Sequence, residues 1–597
     1  MFKITIKPDN KSFEYIYGKN LLQLLLENKI FIDNPCNGKG SCGKCKIRLL
    51  EGNLHDISET EEKLLKKEEI VSGIRLSCLV VPQGNIVIEI LQKERKHKIL
   101  TTGYVPDFEF NPLIYKKKFE IERPTLENQS SFEEVICSTF DVKNFDWRLL
   151  QEHKFITGKV TGVFNGKDLI GIEAGDTTEL LYGVAVDIGT TTVVTALIDM
   201  KTGKELGTAS MINAQKNFGL DVLTRITYEL DHPEDSKEKL QNAIVDSINE
   251  MIGDICFESK VDRRNIYEIS IAANCTMMHF LLGIDATSIG MSPYAPVFVK
   301  AKNVLAKDIG LKAAAGARLY CLPSVSAYIG ADIVAGAYVC QLHKTKENVL
   351  FIDIGTNGEI VLSNHGKLLS CSCAAGPALE GMNISSGMRA AEGAIEDVKI
   401  SEDGIEIKVI GDQEPIGVCG SGILAVVKEL IRVGLVKKEG AFIKKEKLEE
   451  SDYRYNMIQL DGKKREFILN SSPEKLLITQ ADVRQVQLAK GAILSGFYAL
   501  LKKADIDMME LDKVVIAGQF GAHLPADSLV GIGILPEEIK DKLVYVGNSS
   551  KTGAYMALMS SKVKQQIEEL AHQIDYMELG ASEGYERLFA QCLIFPS

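Results

Sequence analysis

The chain has 597 residues, enough for three or four domains, and its 45% hydrophobic and 25% charged content is that of an ordinary globular protein. A net charge of −12, with no basic stripe beyond "QKERKHK" at 92–98, argues against a nucleic-acid partner. No signal peptide opens the chain and no apolar run reaches the roughly eighteen residues of a membrane span. Thirteen cysteines without secretion signals then imply a reducing cytoplasm, no membrane partner and no disulfide framework.

In chain order, "FKITIKP" and "KSFEYIY" predict paired strands and "NLLQLLLENKI" a helix. Next comes "NPCNGKGSCGKCKIRL" at 34–49, with the spacing Cys36-x5-Cys42-x2-Cys45, and then Cys78 in "IRLSCLVV". Three thiols in one glycine-rich loop and a fourth arriving from a strand form the ligand pattern of a [2Fe–2S] centre. Zinc sites usually take two ligands from each of two short hairpins, and no second cysteine lies near Cys78 in the sequence. "CKIRLLEG", a charged helix "SETEEKLLKKEEI" and a last strand "NIVIEIL" complete the pattern. These features resemble the plant-type and adrenodoxin-type ferredoxins, a β-grasp fold over residues 1–94. The five-residue spacer is that of the adrenodoxin-like variant.

After Leu91 the chain is charged, broken by Pro106 and Pro112, and without clear periodicity. Residues 95–118 read as a linker that lets the first domain move. Residues 119–180 carry short strand and helix signals ("KKFEIERP", "SSFEEVICSTF", "DTTELLYGVAV") and predict a small α+β middle domain. From 181 to 597, Gly-rich turns alternate with buried-strand and helix patterns, as in α/β proteins. The fold class expected for the whole is therefore multidomain α/β.

"YGVAVDIGTTTVVTALID" (182–199) and "NVLFIDIGTNGEIVLSN" (348–364) are two copies of one unit. Each is an apolar strand, Asp-Ile-Gly-Thr, a tight turn and a second strand, which predicts a hairpin whose N–H groups and hydroxyls hold phosphate oxygens. Gly189, Thr190, Thr191 and Thr192 belong to the first turn, and Gly355, Thr356 and Asn357 to the second. Asp187 and Asp353 are expected to face one another and hold Mg²⁺, directly or through water. "IGVCGSGILAVV" adds a turn of Gly420, Ser421 and Gly422 opening a helix, an anion or ribose site. The apolar strand of "DKVVIAGQFGAHL" ends in Gly518.

The paired hairpins resemble the phosphate loops of the actin, sugar-kinase and heat-shock-70 ATPases (ASKHA, ribonuclease-H-like), with Gly518 in the adenosine strand. That superfamily more often has glycine where Gln519 stands. A [2Fe–2S] domain fused to such a core resembles the reductive activators of corrinoid proteins. "NAQKNFGLDVLTRI", "NCTMMHFLLGI", "IGADIVAG", "CAAGPALEGMNISSG" (with Gly376), "ITQADVRQVQLAKGAI" and "VGNSSKTGA" extend the resemblance over nearly the whole chain, with Ala273 where the family usually has glycine. It implies an ATPase, with Asp187 and Asp353 as catalytic residues, that drives one electron onto an inactive Co(II) corrinoid protein of a methyltransferase system. An upstream electron donor and a homodimer are also implied. Two alternatives are an activator of radical acyl-CoA dehydratases, with Cys373 at the place of a cluster ligand, and a metabolite kinase with a redox appendage. Cys371, Cys373 and Cys419 are expected to pack near the cleft, His279 and His523 to serve the core or support site residues rather than catalyse, and the Met277–Met278 pair to be helix core.

Overall fold

The computed structural model describes residues 2–8, 10–28, 30, 32, 38, 40, 43–91, 101–152, 156–461, 464–470, 475–521 and 524–596. The chain resolves into two compact units, residues 1–96 with 214–240, and residues 97–213 with 241–597. No helix among the described residues is long and apolar enough to cross a membrane.

In the first unit β1 (Phe2–Lys7), β2 (Lys11–Tyr15), β3 (Lys46–Glu51), β4 (Ile74–Leu76) and β5 (Ile86–Ile90) form one sheet in the order β2-β1-β5-β3-β4. The β1–β5 pair is parallel and the others antiparallel. The helix Leu21–Glu27 starts at a capping box on Asn20 and buries Leu21, Leu22, Leu24 and Leu25, each worth about 1.5–3 kcal/mol of burial. The single charged helix expected after β3 is two, Glu59–Leu64 and Lys67–Val71. Leu65 between them is extended and buried; the first piece has a capping box, Ser58 with Glu61, and at the start of the second Glu69 accepts the backbone N–H of Lys66 (2.9 Å). Two helix starts within nine residues, each with a glutamate at its third position accepting the backbone N–H of the residue before the helix, outcompete one continuous helix. The later segment of this unit carries the helix Val222–Asp231, whose fully buried Arg225 donates to the carbonyl of Gly219 (2.9 Å).

The second unit opens with a segment expected to be linker. Residues 95–100 of that linker lie outside the described residues, but residues 101–113 are held by backbone hydrogen bonds. Tyr104 N–H donates to Val546 O (3.0 Å), Asn548 N–H to Thr102 O (3.0 Å), and Asn111 N–H to Met559 O (3.0 Å). Lys562 pairs with Glu109 (3.0 Å), and Phe108 meets Tyr555 edge-on. The segment is a strap, and the reason is backbone pairing, which carries no periodic side-chain signal. The small domain then starts at Ile114. β6 (Ile114–Ile121), β7 (Gly158–Asn165) and β8 (Asp168–Ala174) make an antiparallel sheet, covered through Ile136 and Phe140 of the helix Phe132–Phe140.

Two further sheets share one topology. The first lobe holds β9 (Tyr182–Ile188), β10 (Thr192–Asp199), β11 (Glu205–Ile212), β12 (Ile266–Ala273), β13 (Lys302–Leu305) and β14 (Arg318–Cys321), ordered β11-β10-β9-β12-β14-β13. The second holds β15 (Asn348–Ile354), β16 (Gly358–Asn364) and β17 (Lys367–Cys373). Two small sheets follow, β18 (Ala394–Ser401) with β19 (Gly404–Val409) and β20 (Gly417–Val418), then β21 (Ile458–Asp461) with β22 (Lys464–Ile468) and β23 (Leu477–Thr479). The second main sheet is completed by β24 (Lys513–Ala517), β25 (Leu543–Gly547) and β26 (Ile574–Tyr576), ordered β25-β24-β15-β16-β17-β26. In both lobes three antiparallel strands are followed by two parallel ones beside the first. The internal repeat of the sequence is thus a repeat of topology. The helices Ala331–Val339 and Ser549–Met559 follow the fifth strand of each set and cross in close contact. A β-carbon on Gly553 would lie 2.5 Å from that of Ala335.

Candidate functional site

In the first unit Cys45 precedes β3 and Cys78 follows β4, both buried, with their sulfurs 3.3 Å apart. A disulfide bond is about 2.05 Å, so these are two converging thiols, and they fit two thiolate ligands of one metal group. Cys36 and Cys42 lie outside the described residues.

In the second unit the two Asp-Ile-Gly-Thr hairpins line one open cleft. The turns close through Gly189 N–H to Thr192 O (2.8 Å) and Gly355 N–H to Asn357 O (2.9 Å). The first hairpin presents Asp187, Gly189, Thr190, Thr191 and Thr192 to the cleft, and the second Asp353, Gly355, Thr356 and Asn357. Gly420, Ser421 and Gly518 complete this part of the wall. Gly518 stands there for closeness: its φ is +87°, and a β-carbon would fall 2.3 Å from Asp353 Oδ1. Gly376 and Gly422 are not on this wall. Gly376 starts the turn Pro377–Glu380, and Gly422 packs on β18, where a β-carbon would meet Ile395 O at 2.1 Å.

The neighbours of the aspartates were not singled out from sequence. Asn548 Nδ2 donates to Asp187 Oδ2 (2.8 Å) and the Ser550 hydroxyl to Oδ1 (2.6 Å). Asn274 Nδ2 donates to the Thr190 hydroxyl oxygen (3.0 Å). Asp332 and Glu359 reach the same cleft. Glu380 accepts from the hydroxyls of Thr191 (2.8 Å) and Thr356 (2.5 Å), one from each hairpin. One signal was available: Asn274 and Asn548 each follow a buried or half-buried strand and cap the next helix, a position where polar caps point into clefts of α/β sheets.

Four carboxylates, Asp187, Asp332, Asp353 and Glu359, crowd the floor. Burial, then the charges of Asp332 and Asp187, pushes Asp353 up to about 8. Burial, then Asp187, pushes Asp332 up to about 7. Glu359 is held well above the carboxylate range by burial and by Asp332 and Asp353. Burial also raises Asp187, opposed by hydrogen bonds from Ser550 and Asn548. Such a site favours a cation. No three described His, Cys, Asp or Glu groups converge tightly enough to hold one by themselves, so the donor set fits a hydrated cation shared with phosphate oxygens.

Other candidates take structural places. His279 is buried, with Nδ1 on Cys275 O (2.7 Å) and Nε2 accepting from Val297 N–H (3.1 Å); Met277 and Met278 are core. Cys371 and Cys373 are buried on β17, and burial raises the Cys371 thiol well above its ordinary value. Cys419 caps the helix Gly420–Arg432 beside the cleft. His523 lies outside the described residues.

Comparison with known proteins agrees with this architecture. Residues 4–83 match the 2Fe-2S iron-sulfur cluster binding domain, 182–345 the RACo middle region, and 347–597 the C-terminal domain of RACo, the ASKHA domain. The corrinoid activation enzyme RamQ of Eubacterium limosum is 32% identical over 546 residues, 88% of each chain. The [Co(II) methylated amine-specific corrinoid protein] reductase of Methanosarcina barkeri is 25% identical over 442 residues, 68% of this chain and 76% of that one. A solved reductive activator for corrinoid,iron-sulfur protein superposes with a TM-score of 0.72 at 33% identity, covering 100% of this chain and 98% of the other. With a ferredoxin domain, one cleft lined by duplicated hairpins and end-to-end similarity of this extent, the chain belongs to the family of corrinoid reductive activators, a [2Fe–2S] domain fused to an ASKHA core.

Proposed function

We propose that this protein uses ATP to drive one electron at a time onto an inactive Co(II) corrinoid protein, restoring the Co(I) nucleophile of a methyl-transfer system. The observation that carries the reading is the joint presence, in one chain, of the converging Cys45–Cys78 thiols and a cleft lined by both Asp-Ile-Gly-Thr hairpins. Residues 1–94 are the electron carrier and residues 181–597 the nucleotide-using core. Cys36, Cys42, Cys45 and Cys78 would hold the cluster, which when bound would supply single electrons at roughly −400 mV, the value for plant-type centres.

In the core, turn N–H groups and the hydroxyls of Thr190, Thr191, Thr192 and Thr356 bind the phosphate chain, assisted by Asn357. Asp187 and Asp353 would hold Mg²⁺, directly or through water. Gly420, Ser421 and Gly518 contact the nucleoside. Asp332, in the first turn of the helix Ala331–Val339, orients the water that attacks the terminal phosphate. Fixed dipoles and charges of this kind lower the barrier without reorganising during the reaction. An uphill gap of about 100–200 mV corresponds to roughly 2–5 kcal/mol for one electron, within reach of differential partner binding by two states of the cleft. The acyl-CoA dehydratase alternative needs Cys373 to reach a cluster shared with another subunit, and Cys373 is 1% exposed.

The test mixes the reduced full-length protein with Co(II) corrinoid proteins, with and without Mg·ATP, and follows the Co(I) absorbance. Co(I) should accumulate with ATP only. Equal reduction without ATP, or transfer of the γ-phosphate to a small metabolite, would overturn the proposal.

A further inference from the structure

The Glu380 carboxylate occupies a peculiar place for an acid. It is 4% exposed and lies on the wall of the cleft. Its two oxygens take the hydroxyl hydrogens of both hairpins: Thr191 to Oε2 (2.8 Å) and Thr356 to Oε1 (2.5 Å). Each threonine hydroxyl has a single hydrogen to give. While it points at Glu380, it cannot point at a phosphate oxygen. A carboxylate and a phosphate are also both anions, and inside a low-dielectric cleft they repel.

The turn that carries Glu380 is built to hold it there. Pro377–Glu380 is a single helical turn closed by Gly381 at φ +72°. A β-carbon on Gly381 would lie 2.2 Å from Met388 O. Further along, Ser385 N–H and its hydroxyl donate to Asp482 (2.8 and 3.2 Å), fixing the loop to the helix Gln480–Ala504.

We propose that Glu380 is a displaceable clasp, a positioning residue that joins the two phosphate hairpins by their hydroxyls and is competed off by the phosphate chain of the nucleotide. The proposal rests on the ATP reading above. It adds that nucleotide affinity is set partly by the bonds Glu380 must give up, and that phosphate arrival releases the Glu380 side chain from both hydroxyls while its turn stays in place.

The test measures binding of Mg·ATP, Mg·ADP and adenosine to the full-length protein and to Glu380→Gln. Glutamine has the same shape, but a neutral amide oxygen accepts less strongly and does not repel phosphate. E380Q should bind Mg·ATP about tenfold more tightly, with adenosine affinity unchanged, and should show a lower KM without a matching rise in kcat. A merely structural role would not separate phosphate-bearing ligands from adenosine. If E380Q does not fold, Glu380→Asp is the second variant: one methylene shorter, it cannot span both hydroxyls, and a smaller gain of the same kind is expected. Folded variants with unchanged or weaker Mg·ATP binding would overturn the clasp alone. Failure of the unaltered protein to bind Mg·ATP at all would overturn the nucleotide reading and the clasp with it.

Discussion

Asp332 shows how much of the cleft's chemistry sits in single side chains. It is in the first turn of its helix, accepts the N–H of Ile333 (2.9 Å), and shares the cleft floor with Asp187 and Asp353. Because its folded-state value is raised to about 7 from 3.8, the folded protein binds more protons at this group than the unfolded chain between those values. Its contribution to stability therefore falls as pH rises from about 4 to about 7 and stays unfavourable above. Asp332→Asn removes that charge. Without nucleotide or divalent cation, thermal unfolding of the variant should occur at higher temperature than that of the parent, with the difference growing from pH 5 to pH 8. ATP turnover should fall by about a hundredfold, as when one preorganised group is removed from an active site. A variant less stable at pH 8, or one with full turnover, would remove Asp332 from the role given to it.

At the level of elements, the strap at 101–113 ties the chain after the ferredoxin domain to the nucleotide site. Thr102 accepts the N–H of Asn548, and the side chain of Asn548 holds Asp187. Gly103 pairs with Gly547, and a β-carbon on Gly103 would lie 2.5 Å from Asn548 O and 2.6 Å from Thr552 Oγ1. Gly103→Ala should shift Asn548, lowering the unfolding temperature and weakening Mg·ATP binding several-fold, while the iron–sulfur absorbance stays unchanged. Normal ATP affinity in a folded variant would separate the strap from the site. Sequence reasoning took this stretch for linker because pairing through backbone N–H and C=O leaves no hydrophobic period. The same limit hid the break at Leu65, where two helix starts, held by Glu61 on Ser58 N–H and Glu69 on Lys66 N–H, compete with one long charged pattern. Hairpins, by contrast, were legible, since Asp187 and Asp353 stand at equal places in two strongly patterned strands. What surrounds them was not: Asn274, Asp332, Glu380 and the pair Asn548 and Ser550 come from three helix starts and a turn, and only tertiary folding brings them to one cleft.

For the whole molecule, the question is whether one chain is needed for one task. The core of the ferredoxin domain, from Ile4 to Ile88, is contributed by that domain's own strands and helices, with Cys45 and Cys78 among its buried residues. The strap begins the second unit about ten residues after Leu91, and that unit has its own core of Leu350, Ile352, Ile423, Phe497 and their neighbours. Residues 1–91 expressed alone should therefore fold and, with cluster assembled, accept an electron. Residues 101–597 should bind and hydrolyse Mg·ATP. Covalent attachment in one chain can hold the carrier at an effective concentration up to the millimolar range, and cutting the chain replaces that by the bulk concentration. At about 1 μM of each half, Co(I) formation with ATP should fall at least about tenfold below that of the intact chain, and raising the carrier half toward millimolar should restore it. Halves that match the intact rate at 1 μM would mean that the carrier works by free encounter, and that the fusion serves assembly or supply of the two parts rather than electron delivery.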